Sequence, residues 1–148
     1  MMFRETGKPE YLAKAIALAE FCMSHPNMPE DKIPTWDYGI PAGECIPRDA
    51  SAAAVMASAL IEISQLAPDG KKFLDYARRQ LLSPASPAYL AEAGANGGFI
   101  LAHSTGHLPV NSEIDAPLFY ADYYFLEVLL RYRAVAKGTK RIHFGTVK

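Results

Sequence analysis

The sequence predicts an all-α fold, and three observations carry that prediction. Apolar residues recur at helical spacing in four separate stretches, and no stretch shows the alternation of a half-buried strand. The helical stretches are joined alternately by short and long connections, which suits an assembly of antiparallel α/α hairpins better than a four-helix bundle with uniformly short loops.

The first helix is expected over Pro9–Met23, where Leu12, Ile16, Ala19 and Met23 form one stripe and Lys14 and Glu20 lie off it. Proline suits the first turn, where its missing N–H has no partner to lose. His25-Pro26 ends the helix, because the residue before a proline is pushed out of the α region. The stretch that follows, PNMPEDKIPTWDYGIPAGECIP, holds Trp36, Tyr38 and Ile40 and reads as an ordered, packed loop with a short extended piece at IPTWDY. Asp49 is then a candidate N-cap, and Ala52, Val55, Met56, Ala59, Leu60 and Ile63 follow at helical spacing. The alanines and serines there let a neighbouring helix approach closely, and alanine costs least to hold helical.

A third helix is expected over about Gly70 to Leu82, with Phe73, Leu74, Ala77 and Leu81 inward and Lys and Arg outside. SPASPAYLAEA reads as a turn followed by a short helical piece. The last helix, about Ala116 to Lys137, is apolar on nearly every face of its first part, which predicts burial on most sides. Asp122 and Glu127 interrupt that apolar run, and carboxylates so placed need partners, so they read first as structural groups.

At 148 residues, half of them apolar and 21% charged, the chain reads as a single folded domain, 1–148, with a real core. A formal net charge of -1 offers nucleic acid no electrostatic footing, and the locally basic KGTKRIHFGTVK reads as a solvated tail. Cys22 and Cys45 have no paired spacing and read as free thiols. No apolar run reaches membrane-spanning length, so no membrane partner is expected. No signal-peptide pattern opens the chain, which leaves the compartment, cytoplasm or periplasm, undetermined.

The stretch richest in chemistry is HSTGHLPVNSEID, residues 103–115. A metal-dependent hydrolase reading would gather His103, His107, Glu113 and Asp115 on one ion. Two histidines four apart bind one ion well on a helix face, but Gly106 between them and Pro109 after them argue against a helix here. No metal and no other cofactor is therefore expected. A non-catalytic helical module binding protein or carbohydrate is a further reading.

TWDYGIP, then RDASAAAVMASALIEIS, then GFILAHSTGHLPVNSEIDAPLFYADYYFLEVLLRY closely resemble the unsaturated glucuronyl hydrolases of glycoside hydrolase family 88. The unsaturated rhamnogalacturonyl hydrolases of family 105 are similar in outline. The resemblance runs from about Arg4 to Arg133 and includes the closing helix, read here as Asp122-Tyr123-Tyr124-Phe125-Leu126-Glu127-Val128-Leu129-Leu130-Arg131. It implies an (α/α)6 barrel of six hairpins, of which this chain matches only the C-terminal part. It also implies action on oligosaccharides with a 4,5-unsaturated uronic acid at the non-reducing end. There an aspartic acid protonates C4 of the double bond, water adds at C5, and the resulting hemiketal opens.

The two essential aspartates of that family fall in its N-terminal half, and Asp37, Asp49, Asp115 and Asp122 do not match them. No catalytic residue is assigned, and the chain alone is expected to be inactive. In the family the loop before the last helix reaches the barrel mouth. This makes Ser104 and Thr105 the leading candidates for substrate contact, with His103 and His107 behind them and Trp36 as a candidate sugar platform. Part of a closed barrel leaves apolar helix flanks without neighbours, so self-association is also expected.

Overall fold

The computed structural model describes residues 1–40 and 46–139. Among them the regular structure is helical, and only isolated β-bridges link loop segments. The helices are α1 (Met2–Thr6), α2 (Pro9–Ser24), α3 (Ala50–Ser64), α4 (Gly70–Leu82) and α5 (Phe119–Ala136). Cys22 is a free thiol, whereas Cys45 and the tail from residue 140 onward lie outside the described residues.

The second, third and fourth helices fall where periodicity and capping place them. The expected stripe of α2, Leu12, Ile16, Ala19 and Met23, is half-buried, and the last three pack against the core. The Asp49 side chain caps α3 by accepting from the Ser51 amide (3.0 Å). On α4 the expected Phe73, Ala77 and Leu81 are buried and Leu74 packs against the core.

The core sits where α3 packs against both α4 and α5. Its inward residues on α3 are Ala50, Ala53, Ala54, Ala57, Leu60, Ile61 and Ile63; of the expected stripe Leu60 and Ile63 are buried and Met56 packs against the core, while the alanine face beside them was not expected. Val55 and Ala59 are exposed. The helix is apolar nearly all round, so periodicity has no polar face to read against, and the small side chains choose the contact by letting α4 and α5 come close.

Three other expectations are corrected. SPASPAYLAEA forms turns without a helical piece and ends in an isolated bridge between Leu90 and Leu101. The last helix starts at Phe119 rather than Ala116, because Ala116 precedes Pro117 and is drawn into a bridge with Ser104. Burial on most sides does not describe α5: Ala121, Phe125 and Val128 are buried, while Phe119, Tyr123, Leu126 and Leu129 form an exposed apolar stripe. α3 covers one side of α5, and no described element covers that stripe.

Both carboxylates in α5 have structural work. Asp122 accepts the backbone amides of Ile100 (2.8 Å) and Leu101 (2.9 Å), one on each oxygen. Glu127, buried, accepts from the Arg131 guanidinium (2.7 Å), which also reaches Glu62 (3.2 Å). Arg4 (3.3 Å) and the amino group of Met1 (2.9 Å) meet the same Glu62 and tie α1 to α3. Burial alone would push the Glu62 carboxyl up, but the amino group, Arg4 and Arg131 outweigh it and hold it below the usual range.

Above this ionic cluster a groove of about 720 Å³ runs between α1–α2 and α3–α5, with Leu12, Leu18, Val55 and Tyr123 among its walls. None of the expected substrate contacts lines it.

Candidate functional site

The long connections α2–α3 and α4–α5 gather at one end of the molecule, and Arg48 joins them. Thr35 and Arg48 form a bridge, with the Trp36 amide donating to Pro47 (3.0 Å). From the other loop Thr105 donates its hydroxyl to the Arg48 carbonyl (2.9 Å). The Arg48 guanidinium pairs with Asp31 (2.5 Å), which also accepts the Tyr89 hydroxyl (2.9 Å). Segments distant in sequence therefore converge on one short stretch before α3.

The segment 100–105 is fixed along this end by backbone hydrogen bonds. Asp122 takes its first two amides, the Ala102 amide donates to Tyr89 (2.9 Å), and the His103 carbonyl accepts from Ala50 at the start of α3 (3.1 Å). Ser104 and Ala116 then exchange backbone bonds (3.3 and 2.9 Å), closing the stretch between them into an Ω-shaped loop. His103 just before this loop and Asn111, Glu113 and Asp115 within it take left-handed backbone conformations, with φ between 52° and 59°. Such conformations in side-chain-bearing residues persist only where surrounding bonds impose them. Gly106 lies under Glu113, and a Cβ there would sit 3.1 Å from the glutamate's own Cβ.

Ser104 and Thr105 lie behind the rim rather than on it. Both are buried, at 0% and 1% exposure. Thr105 also donates its amide to Asp49 (3.4 Å), and Ser104 is in contact range of no solvent, its hydroxyl having no hydrogen-bond partner among the described residues. The backbone pairing that shapes the loop turns these two side chains inward. His103 and His107, expected to stand behind them, are exposed instead. His103 Nδ1 donates to Asp115 (2.5 Å), since a carboxylate has no proton to give, and its ring meets Tyr89 edge-on (5.8 Å). His107 belongs to a separate bridge, with Ser112. Among the described residues no three His, Cys, Asp or Glu side chains are grouped as metal ligands.

Sequence reasoning missed Tyr120 as a member of this neighbourhood. Its phenol is pushed up by burial first and then by the nearby Asp49 and Glu113, against a hydrogen bond with Ser51 that lowers it. Only the α5 register brings it there, and a tyrosine in an apolar run carries no signal of that. The carboxylates at this end are engaged: Asp31 by Arg48 and Tyr89, Asp49 by Ser51 and Thr105, Asp115 by His103, and Asp122 by backbone amides. What the rim offers is a set of polar hydrogen-bonding groups beside aromatic rings, the surface chemistry that fits a sugar.

No family model matches the chain. It is 49% identical over 131 residues to an unsaturated glucuronyl hydrolase of Formosa agariphila, a match covering 88% of this chain and 32% of that protein. A solved unsaturated glucuronyl hydrolase specific for heparin superposes with a TM-score of 0.89 at 48% identity, over 91% of this chain and 36% of the other. The chain is an unsaturated glucuronyl hydrolase-like segment. A second relative, the unsaturated glucuronyl hydrolase of Bacillus sp. strain GL1, is 32% identical over 132 residues, 86% of this chain and 34% of that protein. The segment thus spans about a third of the length of the curated relatives it matches. Its helical hairpins form an incomplete barrel beside theirs.

Proposed function

We propose that this segment forms part of the substrate cavity of a glycoside hydrolase that hydrates the double bond of a terminal 4,5-unsaturated uronic acid. The likeness to the Formosa and heparin-specific enzymes over about nine-tenths of the chain carries this reading. A solved relative at 25% identity and a TM-score of 0.80 is described with dGlcA-Glc-Rha-Glc, which supports an oligosaccharide as the partner. The acid/base group comes from outside the segment, because the family resemblance places both essential aspartates in the N-terminal half and none of the aspartates here matches them. His103 and His107, with Trp36 across Arg48, contact the sugar, while the buried Ser104 and Thr105 set the shape of the loop that presents them.

The test is a chimera in which this chain replaces the matching third of the Formosa enzyme. Loss of ultraviolet absorbance from an unsaturated uronyl disaccharide reports hydration. The chimera is expected to be active and the chain alone inactive. His103→Ala or His107→Ala in the chimera should raise KM about tenfold, the equivalent of one lost hydrogen bond of roughly 1.4 kcal/mol. A folded but inactive chimera would sink the family reading, and turnover by the chain alone would sink the claim that the acid lies elsewhere.

The exposed stripe of Phe119, Tyr123, Leu126 and Leu129 is a packing face for the remainder of a barrel. Without that cover the isolated chain is expected to associate in solution. Light scattering across a concentration series should show mass rising above 16.2 kDa. A constant monomer mass would rule this out.

A further inference from the structure

We propose that the chain has an internal hydration site between α4 and the α2–α3 loop, built by Tyr76 and Gln80 and taking a single water molecule. The two residues stand one turn apart on α4 and are 4% and 0% exposed. Both meet Lys32 of the loop. Gln80 donates its amide nitrogen to the Lys32 carbonyl (2.9 Å), and the Lys32 ammonium stands 5.8 Å from the Tyr76 ring centroid.

The bond to Lys32 fixes which way the Gln80 amide points. Its nitrogen also lies 3.5 Å from Met56 sulfur, so the oxygen must face away from both, and it has no hydrogen-bond donor among the described residues. The Tyr76 hydroxyl likewise has no partner among them. Buried amide and phenol oxygens are expensive to leave unpaired, and native interiors pair nearly all of them.

The surroundings choose the ligand. Burial pushes the Cys22, Tyr38 and Tyr76 side chains up, with Cys22 adding to the rise of both tyrosines and Arg79 opposing it at Tyr76, so each is neutral at physiological pH. Among the described residues the Tyr38 hydroxyl reaches the weak acceptor Met28 sulfur, at 4.0 Å. The Lys32 ammonium and the Arg79 guanidinium over the Tyr76 ring, at 5.8 and 5.7 Å, disfavour a cation, and one orphan acceptor beside one hydroxyl fits a molecule that both donates and accepts. Water donates one hydrogen to Gln80 Oε1 and meets the Tyr76 hydroxyl with its other hydrogen or a lone pair. The site would help pin the loop carrying Trp36 to α4, beside the Ser83 hydroxyl bond to the Asp31 carbonyl.

Oxygen-17 magnetic relaxation dispersion on the full 148-residue chain reads long-lived internal water directly. Tyr76→Phe keeps the ring and removes the hydroxyl, so the dispersion amplitude should fall by one water's contribution. Tyr11→Phe, on exposed α2 surface, should leave it unchanged. An unchanged amplitude in Tyr76→Phe would overturn the site. Should that variant fail to fold, a high-resolution crystal structure of the wild-type chain decides: an ordered water bonded to both oxygens supports the proposal, and a direct Tyr76–Gln80 hydrogen bond refutes it.

Discussion

Asp122→Ala is expected to cost about 3 kcal/mol of stability, more than any other single side-chain truncation at this end of the molecule. One carboxylate accepts two consecutive backbone amides, at 2.8 and 2.9 Å, and the second belongs to Leu101, which is fully buried. Each bond to a charged acceptor contributes roughly 1.5–3 kcal/mol, and the pair falls short of a simple sum because both act on one peptide segment. For a domain of this size the loss corresponds to a fall in Tm of about 6–12 °C. Asp122→Asn does not rescue it, since the amide keeps one acceptor and turns a donor toward the other N–H. Thermal and urea unfolding of both variants measure the effect, and a loss below about 1 kcal/mol would show that the clamp is dispensable.

The consequence reaches the candidate site. Ile100 and Leu101 lead directly into the stretch that ends at Ser104 and Thr105, so releasing them frees one end of the segment bearing His103 and His107. In the chimera, Asp122→Ala should therefore weaken substrate affinity as well as stability. Amide exchange of residues 102–107, faster in the variant under native conditions, would separate loop release from global unfolding.

Gly70→Ala is expected to destabilise by about 2–3 kcal/mol, although alanine is ordinarily the better helix former by about 1 kcal/mol. The reason is steric, not conformational. A Cβ at the first residue of α4 would lie 2.9 Å from the carbonyl carbon of Ser64 and closer still to its oxygen. Those are backbone atoms at the end of α3, so no side chain can swing aside and the two helices must part. That motion disturbs the contact that buries Phe73, Ala77, Leu60 and Ile61. Lys71→Ala, one residue along and exposed, is the control and should stay within about 0.5 kcal/mol of wild type. Urea midpoints for the two variants compare them directly, and equal stability would mean that the hairpin bends more easily than its geometry implies.

These residues show how far the sequence could be read. Asp49 was legible as a cap and Asp122 and Glu127 as partnered carboxylates, because a charge inside an apolar helix has few alternatives. Gly70 was legible only as a helix start. That its hydrogen faces the Ser64 backbone depends on how two helices meet, which no local pattern encodes. The candidate site was legible as a stretch, 103–115, but not in its polarity. Ser104 and Thr105 turned inward and His103 and His107 outward because the backbone of 104 pairs with Ala116 and that of 103 with Ala50. One register of that pairing decides which side chains face solvent, and register is a long-range property.

By itself, then, the amino-acid order determined the helical class, the span and caps of the central helices, and a family resemblance resting on several motifs together. All of these are local or additive: propensity, capping and periodicity act within a turn or two, and motifs survive wherever the chain folds. The tertiary structure alone decided the buried alanine face of α3, the bare stripe of α5, the meeting of Trp36 and Thr105 around Arg48, and the inward turn of the two hydroxyls. Each of those depends on contacts between residues far apart in sequence, where close packing and backbone pairing choose one arrangement among several that the pattern permits.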